Sequence, residues 1–132
     1  MSKPEQKFCT SLAKDATYEE GLRGCFEYRD LGIAEATHGQ FHAAISRVRE
    51  GFKGDQHIRT TGMHRHLCDF QMFYVLRGWV KMYYEGEGEF VLNAGDFVYH
   101  PPGHVHDFME YSEDIEIFEL TSPGGHSAVD VK

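Results

Sequence analysis

Four side chains able to hold a metal ion stand in two short blocks of this 132-residue chain. His64 and His66 come first with Gln71 close behind, and His106 follows later. Imidazole is the commonest side-chain ligand for divalent transition metals. Side chains at i and i+2 of a β-strand point to the same side. A strand carrying His64 and His66 would therefore aim both rings at one point, and a third imidazole from a later strand would close one face of a coordination sphere. The pattern predicts a mononuclear divalent metal site inside a small β-barrel. Zinc comes first; iron, manganese and nickel use the same ligands.

The elements that must position these residues read as strands. Phe and Tyr recur in short alternating runs, the mark of half-buried β-structure. Residues 25–29 and 41–48 form the first two strands, and 63–66 is a short one carrying two ligands. Residues 70–77, 79–84, 89–92, 96–100, 104–111 and 115–120 complete the series. Gly78, Glu85-Gly86-Glu87-Gly88, Asn93-Ala94-Gly95, Pro101-Pro102-Gly103 and Ser112-Glu113-Asp114 turn the chain between them. Residues 49–61 are charged and contain glycine, so they are expected to loop. About eight to ten short strands with almost no helix imply an antiparallel sandwich or barrel.

The expected organisation is one domain. Residues 1–23 form an N-terminal arm, 24–122 the barrel, and 123–132 a loose tail. Thr17 as N-cap with Glu20 three residues on predicts a short helix in the arm, weakened by Gly21. The arm is expected to pack on the barrel or on a neighbouring subunit.

A formal net charge of −8 speaks against nucleic-acid binding, which needs a basic footprint, and against an anionic membrane surface. No apolar run reaches transmembrane length. The first residues lack the continuous apolar stretch of a secretory signal. Cys9, Cys25 and Cys68 are odd in number and widely spaced, which fits a reducing cytoplasm and not a disulfide framework.

The two blocks together resemble the paired motifs of the cupin superfamily. Its first motif runs from a Gly through His-x-His and a Glu to a second Gly; here His64-Arg65-His66, Gln71 and Gly78 stand in that order. Its second motif is Gly-x5-Pro-x-Gly-x2-His-x3-Asn; here Gly95, Pro101, Gly103 and His106 fit, with Glu110 at the Asn position. The resemblance implies an all-β double-stranded β-helix, or jelly-roll barrel, with His64, His66, Gln71 and His106 as metal ligands. It also implies a homodimer paired through a sheet and an exchanged arm. Phe70-Gln71, the run from Val75 to Trp79 and the run from Tyr28 to Gly32 are similar to a cupin subgroup that includes zinc-dependent polyketide cyclases, with three His and one Gln.

Gln71 is neutral, so the site keeps one more unit of positive charge than a three-His, one-Glu site. That favours Lewis-acid chemistry over the stabilising of high oxidation states. The expected activity is a cyclase, isomerase or lyase step on a small organic molecule. An iron-dependent dioxygenase is the second enzyme reading, and a non-enzymatic metal or small-molecule binding protein the third. Glu110, sharing strand parity with His106, and His100, on one face with Asp96 and Val98, are the candidate proton carriers. His104 is expected at the barrel mouth or exposed, Lys81 facing solvent, and Cys68 an inert thiol.

Overall fold

The computed structural model describes residues 5–20, 26–49, 64–124 and 127–130, with the strands at 64–67 and 127–130 described by their backbone. The loop expected at 49–61 lies almost wholly outside the described residues. The chain folds into two antiparallel sheets. The first contains β1 (Glu19–Glu20), β2 (Phe26–Asp30), β3 (His42–Val48), β5 (Phe70–Arg77), β8 (Phe97–His100) and β10 (Glu116–Ser122), in the order β1-β2-β3-β10-β5-β8. The second contains β4 (His64–Leu67), β6 (Trp79–Tyr84), β7 (Gly88–Asn93), β9 (His106–Tyr111) and β11 (Ser127–Asp130), in the order β11-β4-β9-β6-β7. From β3 to β11 the chain crosses between the sheets at every step except the β6–β7 hairpin, as in a jelly-roll double-stranded β-helix.

Alternation along each strand builds the core. On β5, Phe73 and Val75 are buried while Tyr74 and Leu76 are exposed; on β6, Val80 and Met82 are buried while Trp79 is exposed. The inner faces meet in one cluster that also contains Leu92, Phe108, Tyr111, Ile115 and Ile117. Phe26 closes one end edge-on against Phe108, with ring centroids 5.3 Å apart.

Two expectations fail in the terminal segments. Residues 17–23 do not open a helix where they are described: Glu19 and Glu20 extend and pair with Glu27 and Tyr28 of β2. Strand pairing beside an existing edge outweighs a cap followed by a glycine. The tail expected to be loose contains β11, which pairs along the whole of β4. A short helix, α1 (Ile33–Ala36), begins after Gly32, whose φ of 84° only glycine adopts readily. The arm lies along this chain's own α1 and β2. Lys7 N donates to Ala36 O at 2.8 Å, and Arg29 Nη2 donates to Ser11 O at 2.8 Å. Among the described residues no helix is long and apolar enough to cross a membrane.

Candidate metal centre

The inward side chains change character along the barrel, and they do so at the same end of each strand. On β5 the series runs Val75, Phe73, Gln71; on β10, Ile117, Glu119, Thr121; on β8, Val98 and then His100. On the facing sheet, Met82 gives way to Tyr84 on β6, and Phe108 to His106 on β9. One end of the interior is therefore an oil-like core and the other a polar chamber. Gln71, His100, His106 and Thr121 are each no more than 1% exposed. Burying polar groups is costly unless they are partnered, so four together call for an explanation.

His106 has the second-sphere contact a ligating imidazole would need. Its Nδ1 lies 3.0 Å from the carbonyl oxygen of His104. A carbonyl only accepts, so Nδ1 carries a proton; in the neutral imidazole the lone pair is then on Nε2, the arrangement that metal-binding imidazoles use. Strand register sets His64 of β4 directly opposite His106 of β9. On the other sheet it sets Gln71 opposite both His100 and Thr121. The His100 and His106 rings come within 4.4 Å of each other, centroid to centroid, which joins the two sheets. His106, His100 and Gln71 thus meet in one chamber, with the His64 backbone beside it.

The donor set fits a divalent ion. Imidazole nitrogens are borderline donors and an amide oxygen a hard one, a mixture that zinc or iron accepts. Gln71 Nε2 and Thr121 Oγ1 are buried and make no hydrogen bond. An orphaned hydroxyl such as Thr121 Oγ1 is expected where a ligand completes the site, whereas the Gln71 N–H group calls for an acceptor.

The two candidate proton carriers fare differently. His100 is in the chamber: its Nε2 lies 2.7 Å from the Tyr84 hydroxyl, and its ring packs edge-on against Phe73 at 4.6 Å. Burial pushes the Tyr84 hydroxyl well above the usual phenol range, so it stays protonated. Glu110 is outside. The register shifts between Lys81 and Met82, so that Met82 pairs with Phe108 but Lys81 with Glu110. This bulge breaks the parity expected of residues 106, 108 and 110 and turns Glu110 out to solvent beside Lys81. Lys81 itself faces outward, with Nζ 3.3 Å from Glu89. His104 is half-buried at the mouth, its Nε2 2.8 Å from the Glu85 carbonyl.

The acid the sequence reading passed over is Glu119. Burial pushes its carboxyl up to about 7, and the adjacent Gln71 amide restrains the rise. The signal was present in the alternation of Ile117, Glu119 and Thr121, which puts a carboxylate on the buried face of a strand. Cys68 lies close by; burial and then the Glu119 charge push its thiol up, so it is a poor nucleophile. A cavity of about 340 Å³ opens beside the chamber, lined by Tyr84, Phe90, Phe97, Tyr99 and His104 among others.

Comparison with known proteins agrees with this architecture. The family profile described as "Cupin domain" matches residues 56–120. The chain is 32% identical over 103 residues to a quercetin 2,3-dioxygenase of Bacillus subtilis (strain 168), covering 78% of this chain and 28% of that protein's length. Among solved structures, the polyketide cyclase RemF from Streptomyces resistomycificus superposes with a TM-score of 0.73 at 17% identity, covering 96% of this chain and 87% of RemF. KdgF from Halomonas sp. gives a TM-score of 0.66 at 18% identity, over 86% and 94% of the two chains. The lyase DddQ from Ruegeria pomeroyi DSS-3, which acts on DMSP, gives 0.65 at 18% identity, over 98% and 73%. With the two motif blocks, the jelly roll and the family match in hand, the chain belongs to the cupin superfamily.

Proposed function

We propose that this protein is a mononuclear metal enzyme acting on a small organic substrate with a carbonyl or enol oxygen. His64, His66, Gln71 and His106 would hold one divalent ion, zinc in the first instance. The observation that carries the reading is the His106 contact: Nδ1 lies 3.0 Å from the His104 carbonyl, and a proton held there would make Nε2 the ligating nitrogen. A bound divalent ion supplies a Lewis acid for the substrate oxygen.

The chain's own residues do the rest. His100, held by the protonated Tyr84 hydroxyl, is placed to take or return a proton at a carbon next to that oxygen. Phe90, Leu92 and Val98 line the adjoining cavity and suit an apolar or aromatic portion of the substrate. Phe73 and the core below keep bulk water away from the polar chamber. Cyclisation, isomerisation or elimination would each use this arrangement. We further read the protein as a cytoplasmic homodimer. Cys9 and Cys68 are free thiols, as a reducing compartment allows. Tyr74, Leu76, Phe97 and Tyr99 leave exposed apolar surface on the first sheet for a second copy.

The second reading, an iron-dependent dioxygenase, is favoured by the 32% identity to a quercetin 2,3-dioxygenase. Both readings are tested with metal-loaded protein and a panel of enolisable ketones and phenols followed by NMR and an oxygen electrode. Conversion without oxygen uptake, lost in His100→Ala, supports the Lewis-acid enzyme. Conversion that consumes oxygen and requires iron moves the dioxygenase to first place. Binding without conversion assigns a binding module.

A further inference from the structure

A glutamine is an ambiguous metal ligand. Its amide has an oxygen and a nitrogen at nearly equivalent positions, and only Oε1 can donate electrons to a cation. Turned the other way, the amide presents two N–H groups, which a cation repels. A site built on Gln71 therefore needs something that fixes which end of the amide points where. Gln71 is 1% exposed, so water does not do this. Its Nε2 meets no partner in well-formed hydrogen-bond geometry, and the Glu119 carboxyl lies close enough to the amide for the two side chains to interact.

We propose that Glu119 is the positioning residue for Gln71, accepting a hydrogen bond from Nε2 and so reserving Oε1 for the metal. The inference rests on the metal reading above. The register puts Thr121 directly across from Gln71 and Glu119 one diagonal step along the same inner face, at the reach typical of diagonal pairs. Of the groups that face Gln71 from the flanking strands, Thr121 and Glu119 on β10 and His100 on β8, Glu119 alone is a carboxyl. A carboxyl oxygen accepts in either protonation state, so the role does not depend on charge. Partners of this kind tune metal sites elsewhere, and their loss typically costs about 10- to 100-fold in affinity.

The same neighbour accounts for Gln in place of the usual Glu at position 71. A second carboxylate there would sit beside Glu119, and like charges in a buried site oppose ionisation. In this chain the carboxylate stands on the neighbouring strand β10, behind the ligand position, and the amide would link it to the metal.

The test uses Co(II) titrations of the native protein and its variants, following affinity and the visible ligand-field spectrum. Circular dichroism first establishes that each variant folds. Glu119→Leu should weaken Co(II) binding by about 10- to 100-fold and alter the spectrum. Glu119→Gln, whose amide oxygen still accepts, should remain close to native. In a Gln71→Ala background, Glu119→Leu should cause no further loss, because the residue acts only through Gln71. As a second route, Gln71→Glu should bind Co(II) more tightly when combined with Glu119→Gln than alone. Native affinity and spectrum in Glu119→Leu, or an equal loss in both backgrounds, would overturn the assignment. If the native protein takes up no Co(II), the metal reading itself falls, which is a separate result from either.

Discussion

At the residue scale, Glu119 makes the sharpest prediction. Its carboxyl is raised in the folded, metal-free protein to about 7, above the ordinary carboxylate value it regains on unfolding. The folded state then holds a proton that the unfolded state has released, so stability falls as pH rises from the ordinary carboxylate range through about 7. The full difference is on the order of 3 kcal/mol. Urea melts of chelator-treated native protein and Glu119→Gln between pH 5 and 8 should show the native protein losing ground to the variant as pH rises. Parallel curves would remove the buried-carboxyl account. Cys68 gives a second prediction: iodoacetamide followed by peptide mass mapping should label exposed Cys9 well before buried Cys68. Spacing singled out the His-x-His block, Gln71 and His106, and of these the structure places the Gln71 and His106 side chains in the buried chamber. Glu119 was not singled out because one acid in an apolar strand reads as a solvent-facing residue until the parity of that strand is known.

At the element scale, turns and bulges decide which side chains reach the chamber. Gly78 joins β5 to β6 at φ 74°, a backbone conformation that L side chains avoid. A Cβ there would run into Ser112 Oγ and Asp114 Oδ1 and approach the Ile115 backbone to 3.1 Å. It would also disturb the bond from Trp79 N to Ser112 Oγ at 2.9 Å. Gly78→Ala should therefore destabilise the fold by roughly 1–3 kcal/mol, read from denaturant unfolding. An unchanged midpoint would show that the turn relaxes freely. The sequence made Gly78 legible as a strand break, because periodicity stops there. It hid the bulge in β9: strict alternation from His106 put Glu110 inside, and one extra residue puts it outside. Bulges leave no strong local signature, since they answer to the neighbouring strand. β11 was hidden for a related reason, its pairing being made with a strand some sixty residues earlier in the chain.

At the scale of the whole molecule, an apolar half of the barrel supports a polar half. Ile117 is 1% exposed and packs among Val75, Val80 and Met82 of the core. Ile117→Ala should cost about 2–5 kcal/mol, measured by urea unfolding. It should also loosen Glu119 and Thr121 farther along the same strand. The jelly roll was legible because strand spacing and the two glycine-bounded blocks agreed with each other. The distribution of polarity along the barrel was not, because it emerges only when five strands are laid side by side.

The central claim is that the chamber holds one divalent ion through His106 and its partners. The most direct test is elemental analysis of untagged protein purified without added metal, beside His106→Ala. The account predicts close to one equivalent of zinc or another divalent transition metal in the native protein and a large loss in the variant, with the fold retained by circular dichroism. Equal metal in both, or none in the native protein even after reconstitution, would contradict it.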